Sequence, residues 1–279
     1  MQFADIKNDI AFRKIFGNEN KKEILISFLN AVLALEGNKK ITWVEVLNPY
    51  QLPQTAGLKS TILDVRAKDK AGNSYIVEMQ VTDKKGFDKR ITFYSSKSYT
   101  SQINSGDEYY RLKPTIFIGI LNFDYLENSD YLSRHAILDA KTYEQKLKDL
   151  EFYFIELLKF NKTEEELTTL VEKWVYFIKN AENLNVIPPN VNDEGLKHAY
   201  QEADRHTWTK KEVEEYEYAR MRETDDVAEK MLVEERAEMK RNIEIAKSLL
   251  QTVLTNEYIA KHTSLTVEQI EQLRNPKEE

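Results

Sequence analysis

Two carboxylates, Asp64 and Glu78, sit in neighbouring runs with the composition of β-strands, and their spacing brings them to one side of a hairpin. Thr61 to Ala67 and Ser74 to Val81 are rich in branched and apolar residues and are separated by Lys68-Asp-Lys-Ala-Gly-Asn73. The Gly and Asn of that linker tolerate the positive φ that a tight turn needs. Strand alternation then places Ile62, Asp64 and Arg66 on one face of the first strand, and Ile76, Glu78 and Gln80 on one face of the second. Leu63, Val65, Val77, Met79 and Val81 are expected on the opposite, apolar face. An Asp and a Glu on a covered strand face demand a partner. Two such carboxylates supply oxygen ligands suited to Mg²⁺ or Mn²⁺, hard cations that keep several waters and accept phosphate oxygens as further ligands. Hydrolysis of a phosphodiester is the corresponding chemistry. The competing reading is a solvated face, with Asp64 paired to Arg66 or to a nearby Lys.

The elements around this hairpin follow from periodicity. Asp9 to Leu35 carries apolar residues at helical spacing, broken at Gly17-Asn18, which predicts a short helix, a turn and a longer helix from near Asn20. Ile41 to Leu47 alternates as a strand, and Gln51 to Leu58 reads as loop. A helix is predicted between Gly86 and Gly106, then a buried strand over Pro114 to Leu121, with further strands over Ser133 to Leu138 and Phe152 to Leu158. Thr163-Glu-Glu-Glu166 has the pattern of a capping box and predicts a helix carrying Leu167, Leu170, Trp174 and Phe177. Beyond Asp193 the chain reads as helical. Lys211 to Arg241 holds 18 charges in 31 residues, the mark of a solvated amphipathic helix or coiled coil, and residues 245–273 suggest a small helix-turn-helix.

Composition narrows the chemistry. With 279 residues, 41% hydrophobic and 31% charged, the chain is that of a folded protein with long solvated helices. It has no cysteine, which removes disulfides, thiolate metal sites and cysteine nucleophiles and is compatible with a reducing cytoplasm. No apolar stretch approaches a membrane span, and the first residues lack an export signal, so a cytoplasmic protein with no membrane partner is expected. The net charge of −7 hides an asymmetry, since residues 1–130 hold 18 Lys and Arg against 16 Asp and Glu, and the remainder 22 against 31. Binding to DNA therefore requires a local basic patch. The four histidines, His135, His198, His206 and His262, show no metal-ligand spacing, and no phosphate loop, nucleophile elbow or dinucleotide fingerprint is present.

Taken together, Asp64-Val-Arg-Ala, the Gly72 turn and Ile76-Val-Glu78-Met-Gln80, in helix–strand–strand–strand–helix–strand order, resemble the PD-(D/E)XK nuclease superfamily. The resemblance is closest to its recombination-promoting nuclease (Rpn), or transposase, branch. Further echoes are Asp9-Ile-Ala-Phe-Arg-Lys-Ile-Phe-Gly17, the stretch Arg90 to Tyr110 with Tyr94, Tyr99, Gln102 and Gly106, and the Ile245-Ala-Lys tail. The resemblance implies an α/β fold: a restriction-endonuclease-like αβββαβ core with a mixed sheet flanked by helices over residues 1–160, and a mainly helical region over 161–279. It implies Asp64 as the central metal ligand, Glu78 as the second and the Met79 backbone carbonyl as a third, with Mg²⁺ or Mn²⁺ as the cofactor. Gln80 stands where the superfamily pattern has Lys, so an amide offering neutral hydrogen bonds replaces an ammonium that would stabilise developing phosphorane charge. Lys59, Lys97 and Arg90 are candidates for the missing positive charge, or ordinary surface bases. Asp9 is a further acid from the first helix or that helix's N-cap, and Tyr94 and Tyr99 either meet substrate or pack.

The resulting expectation is a metal-dependent DNA endonuclease associated with recombination or mobile elements, with DNA as partner and a homodimer through the C-terminal helices. The alternative is a catalytically inactive nuclease fold that binds DNA or protein.

Overall fold

A computed structural model of the chain describes residues 1–51 and 61–275. Contacts divide it into two compact units, Met1–Glu217 and Tyr218–Glu279. The first opens with helices α1 (Asp9–Phe16) and α2 (Lys22–Val32). Asn8, extended at φ −69° and ψ 134°, caps α1 by accepting from the Ile10 and Ala11 amides, so the capping alternative for Asp9 falls to its neighbour. Phe12, Ile15, Phe16, Ile24, Phe28 and Leu29 are fully buried, as the 3.6-residue period of the two helices requires.

Strands β1 (Val44–Leu47), β4 (Val65–Asp69), β5 (Ser74–Gln80), β6 (Thr115–Leu121), β7 (Leu132–Ala136) and β8 (Leu150–Glu156) form one mixed sheet in the order β1-β4-β5-β6-β8-β7, while β2 (Tyr50–Gln51) and β3 (Thr61–Ile62) pair separately. β5, β6 and β8 run parallel, and the outer pairings are antiparallel. The β4–β5 hairpin turns through Gly72 at φ +88°, a region that favours glycine. Asp69 fastens that turn, its carboxylate accepting from the Asn73 amide at 2.9 Å and from the Tyr75 hydroxyl at 2.9 Å.

The single strand expected over Thr61 to Ala67 is interrupted at Leu63-Asp64. The Leu63 amide donates to the Pro49 carbonyl at 3.1 Å, continuing the β2–β3 pairing rather than the main ladder. This break cancels the alternation across it: Leu63 packs with Ile76, Phe87, Phe117 and Phe154, on the side opposite Val65 and Val77. The expected apolar face therefore loses Leu63.

Helix α3 (Phe87–Thr100) packs through Phe87 and Ile91 against Ile76, Phe117, Leu121 and Phe154. The other face, bearing Val65, Val77, Met79, Ile118 and Ile155, shares one core with α1, α2, α4 (Leu170–Asn180) and α5 (Glu194–Ala203). The nuclease-like domain expected over 1–160 thus lies inside a unit that also takes in α4 and α5, where Trp174, Phe177 and Tyr200 are buried. The Thr163/Glu166 box opens only a single 3₁₀ turn, and a second box, Thr169/Glu172, starts α4. In the second unit the distal part of α6 (Lys210–Leu249), α7 (Asn256–Thr263) and α8 (Val267–Arg274) bury Ala246, Ile259, Leu265 and Ile270 together. Among the described residues no helix is long and apolar enough to cross a membrane.

Candidate functional site

The break before β4 is what delivers Asp64. Freed from the ladder, its backbone amide donates to Glu78 Oε1 at 3.0 Å, and its own Oδ2 accepts from the Met79 amide at 2.9 Å. Each carboxylate is therefore gripped by a backbone N–H from the other's segment, Glu78 from the break before β4 and Asp64 from β5, a reciprocal clamp that fixes the pair side by side. Gly119 is the β6 neighbour of Glu78, and the Phe154 ring covers that position from β8. Glu78 is only 5% exposed.

Burial marks both acids, and repulsion by Asp64 adds to it at Glu78. Burial first, and then the Asp64 charge, push the Glu78 carboxyl up to about 8, against the hydrogen bond from the Asp64 amide. Burial also raises Asp64, although the Met79 amide and Arg13 hold it back. A pair of acids so reluctant to ionise together is a site that gains from a cation.

One cation is already present. Arg13, in the last turn of α1, directs Nε at 3.2 Å and Nη2 at 2.9 Å to Asp64 Oδ1. Burial works against the Arg13 charge, but the Asp64 hydrogen bond and charge, with smaller help from Asp9 and Glu78, leave its guanidinium above its ordinary value. Sequence reading passed over Arg13. Its partner lies 51 positions away, and the local signal is only that Arg13 follows a buried Phe12 and lies one turn after Asp9.

Gln80 joins the acids to α3. Its amide nitrogen donates to the Met79 carbonyl at 3.0 Å and reaches Glu78 Oε2 at 3.4 Å, while its oxygen accepts from Arg90 Nη2 at 2.5 Å. Arg90 also lies over the Phe87 ring, 5.5 Å from its centroid. Tyr94 and Lys97 follow Arg90 at helical i+4 and i+7 positions. The Tyr94 hydroxyl is raised by burial and then by the Glu78 charge, and its ring packs against the Leu63, Phe87 and Ile91 cluster. Lys97 is lowered by burial and by Arg66, whose Nη1 donates to the Asn48 carbonyl at 2.8 Å. Tyr99 instead donates to Asp149 at 2.6 Å. Asp9 acts on Asp64 through its charge, and Lys59 lies outside the described residues.

Among the described residues no group of three or more His, Asp or Glu could hold a metal. The donors at hand are the Asp64 and Glu78 carboxylates and the Met79 carbonyl, an all-oxygen set that fits a hard divalent cation keeping most of its water.

A family model described as PD-(D/E)XK nuclease family transposase matches residues 6–235, a span containing every residue of this site. No curated protein and no solved structure matches the chain.

Proposed function

Since the chain belongs to the PD-(D/E)XK nuclease family transposases, we propose that it is a divalent-cation-dependent endodeoxyribonuclease that hydrolyses DNA phosphodiester bonds at the Asp64–Glu78 pair. The observation that carries this reading is the reciprocal backbone clamp, which holds two buried carboxylates together at the cost of raising both. Asp64, Glu78 and the Met79 carbonyl would hold Mg²⁺ or Mn²⁺, which would supply Lewis-acid polarisation of the phosphate and of the attacking water.

The chain's own residues do the rest. Asp64 and Glu78 fix the geometry of the oxygen donors before substrate arrives, so little reorganisation is required when charge develops. Gln80 cannot bring the ammonium expected at its position, but Arg90 reaches its oxygen and brings a permanent positive charge to the same end of β5. Lys97 and Arg66 extend the basic character along α3 and β4, the local patch that an acidic protein needs in order to hold a polyanion. Recombination or mobile-element biology is the setting this reading favours, in a reducing cytoplasm. The exposed Met221, Met231, Leu232 and Met239 of α6 offer the apolar surface for the homodimer.

Purified protein incubated with supercoiled plasmid is expected to nick it with Mg²⁺ or Mn²⁺, and to lose that activity with chelator or with Asp64→Ala. Folded protein that cleaves under no condition would refute the assignment. Weight would then pass to the second reading, a non-catalytic DNA- or protein-binding module, which the neutral Gln80 favours.

A further inference from the structure

Each carboxylate of the pair has one oxygen fixed by the opposing strand, Oδ2 of Asp64 by the Met79 amide and Oε1 of Glu78 by the Asp64 amide. Among the described residues, the oxygens of the pair that accept no backbone hydrogen bond are Asp64 Oδ1 and Glu78 Oε2. They are not equally available. Among the described residues Oε2 meets only the Gln80 amide at 3.4 Å, longer than an ordinary N–H···O bond. Oδ1 receives two donors from one guanidinium, Nε at 3.2 Å and Nη2 at 2.9 Å. Asp64 Oδ1 therefore carries two charge-assisted hydrogen bonds where Glu78 Oε2 carries none of ordinary length.

Resting on the metal-dependent reading above, we infer that Arg13 is the resident counter-cation of the site and competes with the divalent cation for Asp64 Oδ1. With no divalent cation bound, Arg13 neutralises the buried Asp64 and holds its rotamer. Loading the site requires the guanidinium to give up Oδ1, so metal affinity is set below what the two carboxylates alone would provide.

The surroundings suit a side chain that changes partner while its backbone stays. Phe12, Ile15 and Phe16 are buried on either side of Arg13 in sequence, and Asn8 caps the helix, so the Cα has no freedom to retreat. The side chain itself is 41% exposed, against 10% for its Asp64 partner, which gives it a solvent route away from the pair. Asp9, one helical turn earlier, already attracts the guanidinium and offers an alternative anion on the same helix face. A substrate phosphate brought to the site would offer another, matched to the planar fork of Arg. Either partner draws Arg13 off Oδ1 and thereby favours metal binding, which couples metal loading to the arrival of the polyanion.

The test is Mn²⁺ binding to the chelator-stripped full chain, followed by electron paramagnetic resonance of free Mn²⁺, with no DNA and no turnover involved. Arg13→Gln is expected to tighten the Mn²⁺ Kd by about tenfold, the scale of a modest coupling between two ligands of one site. Lys14→Gln removes a neighbouring positive charge whose partner is Glu212, and it is expected to leave the Kd unchanged. Arg13→Lys keeps the charge but loses the two-donor fork; its Kd is expected to fall between wild type and Arg13→Gln, and it serves as the second variant if Arg13→Gln fails to fold. Metal-free Arg13→Gln should melt below wild type because Asp64 loses its counter-charge, and saturating Mn²⁺ should narrow that gap. A Kd unchanged or weakened in both folded Arg13 variants, with Mn²⁺ still bound in an Asp64-dependent way, overturns the role of Arg13 alone. Absence of any Mn²⁺ binding that Asp64→Asn abolishes overturns the metal-dependent reading with it.

Discussion

Glu78→Gln should make the metal-free protein more stable, and increasingly so as the pH rises. In the folded chain the Glu78 carboxyl is pushed up from an ordinary 4.5 to about 8, chiefly by burial and next by the Asp64 charge. Between those two values the folded state holds a proton that the unfolded state has released. Stability therefore falls as pH climbs through that window and reaches its lowest level above the folded value. At about 1.36 kcal/mol per unit, the difference sets a ceiling of about 5 kcal/mol at high pH. Relaxation and water entry at a site bordered by the half-exposed Arg13 reduce this, and the expected gain of Gln over Glu is about 2 kcal/mol at pH 8.5. For a unit of this size that is a Tm difference of about 4–8 °C, shrinking towards zero near pH 4.5. The amide remains compatible with the clamp, because its oxygen still accepts from the Asp64 N–H. Its NH₂ faces the Gln80 nitrogen only at the long 3.4 Å contact, and that nitrogen keeps the Met79 carbonyl. The assay is thermal denaturation in chelator at pH 5 and pH 8.5, wild type beside Glu78→Gln. A Tm difference that does not grow with pH would refute the placement of a raised, buried carboxyl at this position. Excess Mg²⁺ or Mn²⁺ should raise the wild-type Tm at pH 8.5 while leaving Glu78→Gln nearly unmoved.

Two further outcomes follow from contacts at the same strands. Arg90→Ala should lower plasmid nicking by about 10²-fold, the scale of one lost transition-state donor, and Gln80→Lys in that background should recover most of it by returning the charge to β5. A folded Arg90→Ala protein that nicks at the wild-type rate would remove Arg90 from the reaction, and a double variant that stays at the Arg90→Ala level would show that charge at Gln80 does not replace it. Gly119→Ala should cost about 1–3 kcal/mol in urea denaturation, because its Cβ would lie 3.0 Å from Phe154 Cδ1 and 3.2 Å from Phe117 Cε1 in a packed layer; an unchanged midpoint would mean that those rings yield freely.

What could be read from the sequence was whatever depends on near neighbours. The period of two along β5 places Glu78, and Gly72, whose positive φ suits few other residues, marks the hairpin that brings Asp64 near it. The helices α1 to α3 were found by their apolar spacing. Whatever depends on distant pairing was hidden. Nothing in Thr61 to Ala67 announces that the strand breaks at Leu63, since the cause is a hydrogen bond to Pro49 across the separate β2–β3 pairing. Yet that break is what turns the Asp64 N–H away from the ladder and towards Glu78. The apolar period of α4 likewise shows that Trp174 and Phe177 are buried without showing that they meet Phe16, Phe28 and Tyr200. Gln80 is the clearest case of both kinds. Its own identity announces a missing charge, but the guanidinium that answers it comes from a different element, ten residues on, and only the packing of Phe87 and Ile91 on the sheet turns Arg90 towards it. The hairpin that carries the two acids is thus a local property of the chain, whereas their mutual hydrogen bonding and the cations beside them, Arg13 and Arg90, are consequences of distant pairing and of how helices on opposite faces of the sheet are packed. A substitution in either helix core should therefore disturb the electrostatics of the pair without touching a carboxylate.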